Sequence, residues 1–203
     1  MELFSLALLG ILIVISPGAD FVLVLKNSLN QGRKAGLFTA LGISMAICIH
    51  ITYSLLGISY LISQYQWLYD VIRYAGAAYL IYLGVKGLFS SNAEIGSLTS
   101  QQNGISAIKY FGQGFLCNAL NPKTMLFFLS IFSQVISPEQ QEQSLALIYG
   151  LYMILLHGIW FSLVALLFTS KALQARLISL KKPLNQACGA GLLGFGALLA
   201  LKA

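Results

Sequence analysis

The sequence predicts an all-α integral membrane protein of about six transmembrane helices, arranged as two inverted three-helix repeats with helices 1 and 4 broken at Pro17 and Pro122. Three observations lead there. Charged residues make up 9% of the chain, against roughly 25% in an ordinary soluble domain, too few to clothe a soluble globule. Apolar runs close to the ~20 residues needed to cross about 30 Å of hydrocarbon recur along the chain, and its mean hydropathy is +0.80. A proline falls in the middle of the first run and again in the middle of the fourth.

The first run covers residues 3–25. It starts beside Glu2, where a signal peptide would carry Lys or Arg, and Ser16-Pro17-Gly18 is a poor cleavage site, so it reads as a retained span. The other spans are expected at 36–62, 67–89, 107–136, 144–169 and 184–201, the last being the shortest. Two polar connectors rich in turn formers or charge, SSNAEIGSLTSQQNG (90–104) and SPEQQEQ (137–143), separate some of them. The expected organisation is one transmembrane domain over 1–203: repeat one at about 1–89, a polar linker at 90–104 and repeat two at about 105–203.

Basic connectors stay on the cytoplasmic side of a membrane. Lys26, Arg33 and Lys34 lie in the first connector, Lys86 and Lys109 flank the third, and Lys171, Arg176, Lys181 and Lys182 lie in the fifth. The second has no Lys or Arg, and the fourth carries only Glu139 and Glu142. With six spans, both termini are expected outside. KALQARLISLKK in the fifth connector reads as a short amphipathic helix lying on the lipid of the anionic inner leaflet. The net charge of +6 raises nucleic acid as a partner, but the basic residues lie between apolar runs and form no aromatic-interleaved patch, so none is expected.

The breaks carry the chemistry. ISPGADF places Ser16, Pro17 and Gly18 inside span one, and NALNPKTMLFF places Asn121, Pro122 and Lys123 inside span four. Pro17 and Pro122 stand 105 residues apart, and the only two histidines, His50 and His157, stand 107 apart, which suggests two copies of a three-span unit. Three is odd, so the second copy would lie upside down, an inverted repeat. A proline inside a span removes one amide hydrogen and clashes with the preceding turn, which lipid tolerates only where the backbone lines a cavity or is buried in protein. The half-helix N-termini so created are positive dipole ends suited to a carboxylate.

Asp20 follows the first break, and a carboxylate inside a membrane is costly enough to be functional by default. Lys123 sits at the matching break. An acid, a base and two dipole ends suit a zwitterion, with the ammonium of an α-amino acid toward Asp20 and its carboxylate toward the broken-helix amides and Lys123. His50 and His157 are candidates to carry protons or to hydrogen-bond the substrate. Ala46, His50, Ser54 and Gly57 recur at helical spacing, a stripe expected to face the pocket. Asp70 and Arg73, beside Trp67 and Tyr69, read as an anchor at the outer interface. Gly189, Gly191, Gly194 and Gly196 suit either close helix packing or a homodimer face.

The chain resembles the bacterial lysine and homoserine/threonine exporter (LysE/RhtB-type) family of amino-acid efflux permeases. SPGADFVLVLKNSLNQGRKAGLFTALGI, AGAAYLIYLGVKGL and GFLCNALNPKTMLFF carry the likeness, which spans essentially the full chain. The resemblance implies a six-span exporter of the bacterial cytoplasmic membrane that expels amino acids using the proton gradient, with no cofactor and no enzymatic activity. Ala19 stands where the family commonly has a second proline, and Ala46 and Ile47 stand where members often carry a glycine and an acid before the histidine. One acid fewer in the membrane favours a neutral substrate over a cationic one.

Two other functions compete. A metal-ion exporter would want several intramembrane acids, where this chain offers mainly Asp20. A membrane thiol-redox protein would want paired cysteines, and Cys48, Cys117 and Cys188 lie far apart with no CxxC and no metal-ligand spacing.

Overall fold

The computed structural model describes residues 3–89, 106–136, 143–167 and 171–202, without the side chains of residues 3, 62, 63, 143, 171–181 and 202. The polar connectors at 90–104 and 137–142 lie outside the described residues. Within those residues the chain is helical throughout: α1 (Leu3–Ile15), α2 (Ala19–Gln31), α3 (Arg33–Gln64), α4 (Gln66–Leu88), α5 (Ala107–Ala119), α6 (Pro122–Val135), α7 (Gln143–Leu167) and α8 (Lys171–Lys202).

Helix lengths show which elements can cross a bilayer. At about 1.5 Å per residue, the 13 residues of α1 reach only ~20 Å, short of the hydrocarbon thickness. Joined to α2 across a 50° bend they are long enough, and α5 joins α6 across a 53° bend in the same way. Both expected breaks are therefore present, at Pro17 and Pro122. Three unbroken helices, α3, α7 and α8, are long and apolar enough to span, making five candidates with the two bent pairs.

The sixth expected span, α4, has the length, with 23 residues, but Asp70, Arg73, Lys86 and its tyrosines dilute its hydropathy. The neighbouring helix α6 takes up two of these polar groups. The buried Tyr69 hydroxyl lies 2.8 Å from the Ser133 carbonyl and 3.1 Å from that of Ile136, capping the end of α6. Arg73 Nε donates to Gln134 Oε1 at 3.2 Å, so this residue ties α4 to α6.

Glycines set the closest helix contacts. Gly84 and Gly87 of α4 lie against Leu193, Asn185 and Gly189 of α8, and Gly196 lies against Ile81 and the Ala77 carbonyl. Gly191 receives Leu12. The glycine stripe of the last span is thus largely spent on packing inside the molecule, with Gly194 facing open space. Gly42 and Gly114 let the backbones of α3 and α5 meet, since a Cβ on either would clash with the other helix's backbone.

The basic segment from Lys171 is helical, as expected, but it runs on through Pro183 into the last span instead of forming a separate surface helix. Along the bundle, Leu56, Trp67, Ile148, Leu151, Leu155 and Ile159 face outward, an apolar coat that suits lipid.

Candidate functional site at the two helix breaks

Each proline frees one carbonyl, and each freed carbonyl has found a side-chain donor from the other half of the chain. Pro17 has no amide to give the Ile13 carbonyl four residues earlier. Lys123 Nζ supplies the missing hydrogen at 3.0 Å and donates also to Ser16 O at 2.7 Å, holding the C-terminal end of α1. Pro122 likewise leaves the Asn118 carbonyl, which accepts from His50 Nε2 at 3.0 Å and from the Asn121 amide at 2.9 Å. A carbonyl can only accept, so His50 carries its hydrogen on Nε2, and Nδ1 is left to accept from the Tyr53 hydroxyl at 2.7 Å.

The downstream helices begin differently. Asn121 caps α6, its side chain accepting from the Lys123 amide at 3.0 Å, with Pro122 in the first turn. Extended Gly18 precedes α2, which has no side-chain cap, and the first backbone bond of that helix runs from Val22 N to Gly18 O. The amides of Ala19, Asp20 and Phe21 therefore form an uncapped positive end.

Asp20 is the buried centre of the arrangement, 6% exposed. Its Oδ2 accepts from Asn118 Nδ2 at 2.9 Å and from Asn121 Nδ2 at 3.0 Å. Its Oδ1 is buried with no donor, and so is Asn118 Oδ1. An orphaned buried acceptor costs about 1–3 kcal/mol, so this oxygen is an unmet acceptor inside the bundle.

Two cavities meet at the breaks. The smaller, about 20 Å³, is walled by Ser16, Gly18, Asp20, Asn121, Lys123 and His157, together with apolar side chains from α1, α6 and α7. That is room for one water. The larger, about 520 Å³, is lined by Pro17, Pro122, Tyr79, Tyr82, Lys86 and Asn185, and shares Ser16, Gly18, Asn121 and Lys123 with the smaller one. Lys123 therefore stands in the partition between the two.

The family profile described as LysE type translocator matches residues 11–203. The chain belongs to the LysE type translocator family. Across 192 residues it is 33% identical to the uncharacterized membrane protein YrhP of Bacillus subtilis, covering 91% of each chain. It is 29% identical to the homoserine/homoserine lactone efflux protein of Salmonella typhimurium (97% of this chain, 95% of the relative) and 29% identical to the threonine efflux protein of Salmonella typhi (97% and 96%). No solved structure matches it. The protein is thus a multi-pass membrane transporter and not an enzyme.

In this translocator the residues singled out in the sequence occupy distinct places. Ser16, Gly18, Asp20, Asn121, Lys123 and His157 converge on the small cavity. Pro17 and Pro122 line only the large one. His50, fully buried and stacked on Phe128, reaches Asp20 only through Asn118. Lys123 shares a cavity with Asp20, but two of its three ammonium hydrogens are placed on the Ile13 and Ser16 carbonyls. His157 donates from Nδ1 to its own helix at Met153 O, 2.7 Å away, which leaves Nε2 as the nitrogen able to accept a proton.

The stripe of Ala46, His50, Ser54 and Gly57 turns its first three members into the bundle interior, and none of the four lines either cavity. The expected pocket face is instead supplied by α1, α2, α6 and α7. Asn118, Tyr53 and the vestibule residues Tyr79, Tyr82, Lys86 and Asn185 were missed. For Asn118 the signal was present: it is the residue whose carbonyl a proline at 122 must free, and its own side chain is polar in mid-span. Among the described residues the three cysteines are free, and no three His, Cys, Asp or Glu side chains cluster as metal ligands.

Proposed function

We propose that this translocator exports small neutral α-amino acids from the cytoplasm in exchange for protons, and that Asp20 is the seat for which the two compete. One observation carries the reading: a buried carboxylate between two helix breaks has one oxygen held by two asparagine amides and the other left without a donor. The free oxygen suits an ammonium group or a proton, and a single carboxylate cannot hold both. An inward-moving proton displaces the amino acid on the outer side, and a cytoplasmic amino acid displaces the proton on the inner side.

The other groups serve the two ends of the zwitterion. The uncapped amides of α2 and the Lys123 ammonium offer donors to the substrate carboxylate once Lys123 leaves the α1 carbonyls, while Ser16, Pro17, Gly18, Asn121 and Pro122 shape the broken backbone around it. His157 Nε2, in the wall beside Asp20, is placed to pass the proton; His50 holds the second break in position through Asn118. Relatives named for homoserine and threonine efflux support a small, uncharged side chain on the substrate.

The two bends, of 50° and 53°, and their reciprocal donors fit an inverted repeat whose halves rock about the breaks. Lys86 and the basic segment from Lys171 put the α4 C-terminus and the α8 N-terminus on the cytoplasmic side of the bacterial inner membrane, with both chain termini outside. The large cavity then faces the cytoplasm.

Efflux of labelled amino acids from preloaded, energised vesicles tests this directly. One or a few small neutral amino acids should leave faster with the native protein, and Asp20→Asn should abolish the gain at equal expression. A panel on which no amino acid moves would refute the proposal.

A further inference from the structure

The small cavity poses a problem for any substrate. A water needs about 10–15 Å³ of probe space, so the space of about 20 Å³ beside Asp20 holds one water and leaves no room for the eight or so heavy atoms of a small amino acid. The adjoining vestibule, at about 520 Å³, is of the size that holds small ligands. Its wall contains two lysines, Lys86 and Lys123, and no acid. Lys86 Nζ lies 5.8 Å from the centre of the Tyr82 ring, an exposed cation beside an aromatic face. Tyr79 and Asn185 add polar groups from α4 and α8, and the Tyr79 hydroxyl sits 3.5 Å from the carbonyl of Pro122.

We propose that the vestibule is a separate first binding site for the α-carboxylate of an amino acid, held by Lys86 on the Tyr82 face and occupied before the Asp20 cavity opens. This rests on the transport reading above and adds a second site to it. Charge sets the orientation. The carboxylate is drawn to Lys86, and the ammonium is left to the polar groups of Tyr79, Asn121 and Asn185, away from both lysines. The two lysines also repel a second positive charge, so the vestibule filters out cationic side chains before they reach Asp20.

Lys123 is the latch between the two sites. Its ammonium is bound to Ile13 O and Ser16 O, the same kind of partner an incoming substrate ammonium would take, and its alkyl chain lies against the backbone at Gly18. Advance of the amino acid from Lys86 toward Asp20 requires Lys123 to give up these carbonyls and take the carboxylate instead. The substrate thereby unties the end of α1 as it passes.

The test is the concentration dependence of efflux in proteoliposomes for the best-transported neutral amino acid, comparing the native protein with Lys86→Gln and Tyr82→Leu. Loss of one charge-assisted contact, about 1.4 kcal/mol or more, should raise the half-saturating concentration about tenfold for Lys86→Gln, with a much smaller change in maximal rate. The discrimination against lysine should weaken in the same variant. Tyr82→Leu should show a smaller shift in the same direction.

Half-saturation unchanged in Lys86→Gln, with export by the native protein intact, would overturn the vestibule site while leaving the transport reading standing. A Lys86 effect that appears only in vesicles containing anionic lipid would also overturn it, because the cation would then be holding a lipid phosphate. A native protein that exports no amino acid would defeat the transport reading and the vestibule site together. Equilibrium binding to Asp20→Asn separates the sites further: binding should persist, weaker than native and sensitive to Lys86→Gln, and its complete loss would show that the vestibule binds nothing on its own.

Discussion

The two helix breaks solve one problem with different materials. Each proline frees a carbonyl, Ile13 at the first break and Asn118 at the second, and each carbonyl is served by a side chain from the opposite half of the chain. At the second break the donor is a fully buried imidazole braced by Tyr53, and α6 starts from an asparagine cap. At the first break the donor is a lysine in a cavity wall, and α2 starts from an uncapped glycine. On the proposed function, the second stays in place and the first lets go. A charged donor on a long flexible stem can change partners as a zwitterion arrives, whereas a stacked imidazole cannot. The acid lies on the loose side and its asparagine holders lie on the firm side, so Asp20 records the relative position of the two breaks.

Substitutions can separate these roles. Lys123→Met should have the largest effect on the first break, because it leaves two part-buried carbonyls without a charged donor; a loss of about 3 kcal/mol is expected, read as a lowered Tm in detergent and faster deuterium exchange at the start of α2. The second break should keep its protection in that variant. Asn121→Ala removes both a helix cap and one of the two donors on Asp20, for a combined loss of about 2 kcal/mol by thermal unfolding, with deuterium exchange rising at α6. Equal exchange at both breaks in either variant would erase the contrast.

Smaller changes sharpen it. Tyr53→Phe strips the His50 bracing bond and should cost about 1 kcal/mol in unfolding free energy while leaving efflux close to native. Gly18→Ser should move stability least, by a few tenths of a kcal/mol, since a cap serine exceeds glycine only slightly and a Cβ there meets Lys123 at an ordinary 3.6 Å. Its efflux, however, should fall several-fold, because the new hydroxyl occupies an amide that the substrate carboxylate needs. A Gly18→Ser protein with native efflux would show that the uncapped end of α2 is not used.

Much of this was readable in one dimension because lipid imposes a simple rule on backbone. Spans announce themselves by length and apolarity, and a proline within one names the carbonyl that must find a new donor. Pro17 and Pro122 and the isolated acid Asp20 were therefore legible. What served the freed carbonyls was not. That Lys123 would hold Ile13 while His50 held Asn118 depends on how α3 and α6 approach the breaks, and no spacing encodes that. α4 blurred the rule itself: its polar residues lower its hydropathy, and among them Tyr69 and Arg73 are taken up by α6. The small-residue stripe of α3 misled because small polar residues serve close helix packing as well as cavities. The vestibule, assembled from α4, α6, α8 and the first break, has no contiguous motif to read.

In the proposed exchange, Asp20 holds either a proton or an ammonium group. The most direct test loads proteoliposomes with a transported neutral amino acid, reports internal pH, and compares the native protein with Asp20→Asn. The native protein should move protons against the departing amino acid and should concentrate substrate when a pH gradient is imposed, while the variant does neither. An Asp20→Asn carrier that still concentrates the amino acid against its gradient would contradict the account.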